Sequence, residues 1–271
     1  MLDYATHQTF APSERDLQYQ QRTREARHVL ERNPPPAENC AQTLGASRFA
    51  NLYDDLGEAL DGTGDYGAAV EAYESALDCA PRSSYLRVPL SSDLMYLNRY
   101  DEARAVAERG LAAEESEAEL HAVLAQLDYI AERWDDAISH LRAAAAGMED
   151  GTVAAYFQCL LWLAQRRNGV ARPELVSRDD PESWPLPLLA ALRGNRTESE
   201  VLMSIENEDR PERRRELLAE ALYYLGQERL ADGDADTARR YMSATVNLKV
   251  HHFVEHHLAR AELERMAAAG R

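Results

Sequence analysis

Apolar and polar positions follow a helical period along most of the chain, and the helical segments come in pairs. The stretch "NLYDDLGEALDGTGDYGAAVEAYESALDCAP", residues 51–81, is the clearest case. Leu56 and Gly57 sit inside a first helix, and Gly62 to Asp65 form a turn. Tyr66, Ala69, Tyr73 and Ala76 then mark one face of a second helix, which Pro81 closes. A step of 34 residues carries Tyr66 to Tyr100 and Trp134, and Ala69 to Ala103 and Ala137. An aromatic residue followed by alanine thus opens the second helix of each pair, which predicts three tandem hairpins over residues 50–149.

The flanks continue the pattern less regularly. Pro12 and Ser13 begin a helix that runs to Arg32, where "NPPP" stops it. "TVAAYFQCLLWLAQRR" reads as the first helix of a degenerate fourth hairpin, and "SRDDPES" as a loop. "WPLPLLAALRG" predicts a short, proline-interrupted helix, and Thr197 with Glu200 a capping box for the next. The Asn195-Arg196-Thr197 sequon is explained by that cap. In the last hairpin Leu225, Gly226, Gly233 and Ala238 repeat the roles of Leu56, Gly57, Gly64 and Ala69. A closing helix follows from about His252 to Met266. No strand-like alternation occurs, so the expected fold is all-α. It divides into an N-terminal extension and helix (1–49), three hairpins (50–149), a degenerate hairpin with linker helices (150–211), and a last hairpin with its capping helix (212–271).

Small residues wherever two helices approach, at a 34-residue period, are the pattern of the tetratricopeptide repeat, which stacks into an α-solenoid. In that repeat the first helix of each hairpin lines the inner surface. The positions that face it are Asn51, Asp54, Glu58 and Asp61, then Tyr85, Val88, Ser92 and Met95. Glu119, Ala122, Gln126 and Tyr129 follow, then Tyr156, Tyr223 and Gln227. This wall grades from acidic to polar and aromatic, which suits a protein or peptide partner of basic character. The alternative is a merely solvated helix face. Carboxylate-clamp repeat domains hold acidic tails through lysines on this wall, and none stands here.

Charge sharpens the picture. The 271 residues carry 47 acidic and 30 basic side chains, a net −17. Lys249 is the one lysine, so the cations are arginines. Such a balance excludes a nucleic-acid binder, which needs clustered cations. No apolar run reaches the length of a membrane span, and "MLDYATHQTF" has no signal-peptide core. A periplasmic or envelope location would require an export signal removed ahead of Met1; the alternative is cytoplasmic. Cys40, Cys79 and Cys159 are too few and too spread for a disulfide framework and read as small buried residues.

Two motifs suggest chemistry. "GTGDYG", Gly62 to Gly67, has the spacing of a dinucleotide-binding loop, but a helix precedes it where a strand is required. It is the turn inside the first hairpin, and no cofactor is expected. "VHHFVEHH", residues 250–257, contains His252, Glu255 and His256 in the H-x-x-E-H order of a zinc hydrolase helix. No third ligand with its own context follows, and Phe253, Val254, Leu258 and Ala261 supply the apolar stripe of a closing helix. The cap is preferred; zinc hydrolysis is the alternative.

The segments "ESWPLPLLAALRGN", "EALYYLGQERLADGDADTA" and "VHHFVEHHLARAEL" resemble the closing module of the new-lipoprotein-I family of bacterial envelope adaptors, and the order of elements agrees over most of the chain. The resemblance implies a non-enzymatic, homodimeric scaffold. It would bring a C-terminal-processing periplasmic protease to peptidoglycan endopeptidases. It also implies a structural role for Phe253 to His256. A cytoplasmic assembly or secretion chaperone of the same fold is the further alternative.

Overall fold

The structure, a computed structural model, describes residues 14–34, 40–112, 117–147, 151–171, 173 and 184–269. The expected cap at Pro12 and Ser13 and the loop at 177–183 lie outside them. All regular elements among the described residues are helical. In order they are α1 (Glu14–Arg32), a 3-10 turn (Cys40–Gln42), α2 (Ala46–Gly62), α3 (Tyr66–Cys79), α4 (Arg87–Tyr96), α5 (Tyr100–Leu111) and α6 (Glu117–Ile130). There follow α7 (Trp134–Gly147), α8 (Gly151–Arg167), α9 (Leu186–Leu192), α10 (Glu198–Glu206), α11 (Pro211–Ala231), α12 (Ala235–Asn247) and α13 (Val254–Ala269). They fall into two compact units, one reaching to Leu127 and one beginning at Asp128, and the division passes through α6.

The 34-residue step is visible in the backbone. Helices α3, α5 and α7 begin at Tyr66, Tyr100 and Trp134. Ala69, Ala103 and Ala137, and Ala238 of the last hairpin, are all 0% exposed, as a packing contact between paired helices requires. The turn before each second helix bends through a left-handed residue at the same interval: Gly64 (φ 79°), Asn98 (61°) and Glu132 (55°), with Gly233 (86°) in the last hairpin.

In the first unit, α2 and α3 pair through Gly57, where a Cβ would strike the Tyr73 ring. Asp65 caps α3 by accepting from the Ala68 amide at 3.3 Å. Helix α1 lies on α2, with the Tyr19 ring against Gly62 and Arg22 bridging both oxygens of Glu58 at 3.2 and 2.7 Å. Gly110 of α5 admits the Leu120 side chain of α6.

A finding that overturns the sequence expectation concerns the cysteines. Cys40 and Cys79 form a disulfide, joining the 3-10 turn to the last residue of α3 across 39 positions. Ala50, Phe49 and Ala80 pack around it. Counting cysteines could not reveal a single bridge, because the two partners meet only when α2 and α3 fold back beside the turn. Cys159 is free and buried, as expected.

In the second unit, α11 is the central element. Every residue from Leu217 to Gln227 is buried, because α8, α9, α10, α12 and α13 all pack against it. Gly226 lets Tyr241 and Met242 of α12 come close, as Gly57 does for Tyr73. The capping box forms as expected: Thr197 accepts from the Glu200 amide, and Glu200 accepts from the Thr197 amide at 2.7 Å.

Candidate functional site

In the first unit, α2 and α4, with Tyr73 of α3 and Glu119 of α6, enclose a groove of about 410 Å3. Helical spacing accounts for its walls. Asp54, Glu58 and Asp61 recur at three- and four-residue steps on α2, so all three face one way. From the segment opening α4 and from α4 itself come Tyr85, Val88, Pro89, Ser92, Asp93 and Tyr96. The groove therefore joins a carboxylate-rich side to an aromatic one.

Its electrostatics are graded. Glu58 is held below the usual carboxylate range by its hydrogen bonds from Arg22. Asp54, half-buried, is pushed up to about 6, first by burial and then by Asp55 and Glu58. Asp93 at the base is 1% exposed. Burial, then the charge of Asp61 and a hydrogen bond with that carboxyl, push it up to about 10. Two carboxyls in such contact share a proton, since both cannot be ionised at that separation. Tyr73 beside them is raised by burial and by the charge of Asp93. Tyr85 stands at the rim, 63% exposed.

Of the residues assigned to an inner wall, Asp54, Glu58, Asp61, Tyr85, Val88, Ser92 and Glu119 meet in this groove. Asn51 is exposed and Gln126 half-buried, and neither lines it. Five assignments need correction. Met95, Ala122, Tyr129, Tyr223 and Gln227 are buried, so they offer no open surface. For Met95 the cause is an α4 that begins only at Arg87 and places Leu94 and Met95 inward. For Tyr223 and Gln227 it is the enclosure of α11. The Tyr129 hydroxyl donates to Gln227 Oε1 at 3.1 Å, and Arg167 donates to the same oxygen at 2.9 Å. Tyr156, half-buried, donates to Glu220 at 2.8 Å, where Trp184 also donates. These are interior polar networks of the second unit. Sequence reasoning missed Tyr73, Pro89, Asp93 and Tyr96. Asp93, an aspartate next to Leu94 and one position outside the counted face, was the available signal.

The histidine segment is arranged differently from a metal helix. Lys249 takes a left-handed φ of 54°, so α13 starts at Val254 and not at His252. His252 and His256 therefore do not stand one helical turn apart on a helix. His252 Nε2 lies 3.5 Å from Glu216, and the His256 ring packs edge-on to His251 at 4.6 Å. His257 Nε2 lies 2.8 Å from the His251 carbonyl. Glu255 is buried and accepts from the Tyr224 hydroxyl at 3.1 Å. Among the described residues no three histidine, cysteine or carboxylate side chains converge as metal ligands.

A family model described as "Tetratricopeptide repeat" matches residues 62–127. The crystal structure of YrrB, "a TPR protein with an unusual peptide-binding site", is similar at 15% identity and a TM-score of 0.41, covering 89% of this chain and 99% of that one. That likeness is too distant to bear on the groove. The match is to tetratricopeptide-repeat sequence over residues 62–127, and among the described residues the regular elements around it are helical.

Proposed function

We propose that the chain is a non-enzymatic adaptor that holds a segment of a protein partner in the groove of its first unit. The observation that supports this best is the meeting of Asp54, Glu58, Tyr85 and Glu119 around one open groove, within repeats of a family built for protein contacts. Tyr85 would contribute most of the binding energy, since a ring buried at a contact excludes water over a large area. The exposed carboxylates would steer approach.

The finer reading places the protein in a bacterial envelope, as a homodimer linking a C-terminal-processing protease to peptidoglycan endopeptidases. Two things support it: the resemblance of the last third of the chain to the new-lipoprotein-I family, and the Cys40–Cys79 bridge. Disulfides persist in oxidising compartments such as the periplasm and are rare in the cytosol.

The test is a photo-crosslinking amino acid at position 85, followed by identification of the captured protein in cells. We expect one dominant partner. Asp54→Lys should weaken its binding roughly tenfold and flatten the salt dependence, and Tyr85→Ala should cost at least as much. Capture indifferent to both substitutions would remove the groove as the contact surface.

A further inference from the structure

The base of the groove holds more than an acidic patch requires. Asp93 reaches it from α4 almost fully buried, and its Oδ2 meets no donor among the described residues. A carboxylate oxygen in that state is costly unless a proton or a cation satisfies it. Its neighbour Asp61 comes from α2, and the two carboxyls are in hydrogen-bond contact. Every other ionisable group lining the groove is a carboxylic acid or a phenol: Asp54 and Glu58 on α2, Tyr73 on α3, Tyr85 and Tyr96 from the α4 side, and Glu119 on α6. Among the described residues the cation paired with a groove carboxylate is Arg22 of α1, bound to Glu58 and 6.0 Å from the Tyr19 ring centroid. The molecule itself thus shows, one step up the same wall, how an arginine is held here: both carboxylate oxygens on the guanidinium, an aromatic ring beside it.

We propose that the groove is a receptor for one arginine or lysine side chain of the partner, with Asp61 and Asp93 as the paired carboxylates that grip the cation and Tyr85 covering its stem. This rests on the adaptor reading and names the chemistry its partner must present. The cation takes the place of the proton that the pair shares. In the step the carboxyl O–H bond of the pair breaks, its proton passes to solvent, and the N–H donors of the incoming side chain close on the freed oxygens. The exchange leaves the net charge of the base unchanged at −1, one proton being replaced by one cation, which is why a cation fits and a neutral side chain does not. Guanidinium has the planar fork that matches two carboxylates, so arginine is preferred over lysine.

The probes are three acetylated, amidated alanine pentapeptides carrying arginine, lysine or citrulline at the centre, titrated into the full chain by NMR and calorimetry. Citrulline keeps the shape of arginine and removes its charge. The arginine peptide should bind roughly tenfold or more tightly than citrulline, with lysine between. Affinity for arginine should rise with pH from 6 to 8, and heats compared in phosphate and Tris should show proton release. Asp93→Asn keeps a neutral, hydrogen-bonding group beside Asp61, so its melting temperature should stay close to the parent's while arginine binding falls to the citrulline level. Asp54→Asn at the rim, which leaves the base intact, should weaken binding only a few-fold.

Equal affinity for arginine and citrulline, discrimination that survives Asp93→Asn, or no binding of the cationic peptides would overturn the inference. If one of these occurs while crosslinking at position 85 still captures a partner, the adaptor reading stands without the cation receptor. If the crosslinks vanish as well, both fall.

Discussion

At the scale of single residues, two glycines three positions apart do opposite work in the first hairpin. Gly64 has φ 79° and ends the turn, whereas Gly67 lies inside α3 with nothing within 4 Å of where a Cβ would sit. An L-residue forced into the left-handed region costs about 1–2 kcal/mol. Alanine in place of glycine in an open helical position gains up to about 1 kcal/mol. Gly64→Ala should therefore lower the unfolding free energy by about 1 kcal/mol, and Gly67→Ala should raise it by a few tenths to 1 kcal/mol. Denaturant melts of the two variants check both signs at once. Equal effects would mean that the turn geometry at residue 64 is not what the hairpin depends on. The same location in the next repeats is held by Asn98 and Glu132. Asparagine tolerates this backbone through its short polar side chain. For Glu132 the structure shows the side chain ion-paired with Arg167 at 2.9 Å and with Arg265.

At the scale of elements, the helices were legible and their partners were not. A period of 34 residues locates α3, α5 and α7 because alanine and an aromatic ring must recur wherever two helices nest, and that is a local signal. Burial around α11 is a non-local one. Its sequence from Leu217 to Gln227 is apolar on nearly every side, with Glu220 and Gln227 the strongly polar exceptions, which marks an enclosed helix; which five helices cover it is set by packing far along the chain, and Tyr223 and Gln227 disappear inside. The groove lies between these cases. Asp54, Glu58 and Asp61 follow from helical spacing alone, whereas Asp93 is aimed at them by the packing of α4 against α3. The disulfide belongs to the second kind. It closes a loop of 39 positions between the 3-10 turn and α3, and cross-linking of that span restricts the unfolded chain by about 3–4 kcal/mol in the entropic model. The pair Cys40→Ser, Cys79→Ser should therefore melt several degrees lower than the parent, with the helical content of the folded state unchanged. Thiol titration of the oxidised, denatured protein should count one reactive group, Cys159. Three reactive thiols in protein kept oxidised would show that the bridge does not form.

At the scale of the whole molecule, a chain with net charge −17 keeps several acids where water does not reach, and this gives stability an unusual pH dependence. Glu255 is fully enclosed in the second unit. Burial, then the charge of Glu220 across α11, push it up to about 8 from an ordinary 4.5, although the Tyr224 hydroxyl donates to it. In the folded state it holds its proton near neutrality, and in the unfolded state it does not. The unfolded chain then binds fewer protons, so this group's contribution to stability falls as pH rises from about 4.5 to about 8. The buried histidines pull the other way. His256 is pushed down to about 4 and His257 to about 3, mainly by desolvation, from an ordinary 6.5. Each favours the folded state above pH 6.5, and that contribution is lost as pH falls through their lowered values. Between about pH 4.5 and 6.5 the contributions of Glu255 and of the two histidines oppose each other, and above that range the fall owed to Glu255 continues without them. Glu255→Gln separates the two. Glutamine still accepts from Tyr224 and cannot ionise, so the variant should match the parent near pH 5 and melt higher than it near pH 8.5, while the acid-side fall, owed to the histidines, stays. Thermal melts at pH 5, 6.5 and 8.5 are sufficient. A variant that tracks the parent at all three values would mean that Glu255 is ionised in the folded protein, and that the tyrosine beside it holds a charge instead of a neutral acid.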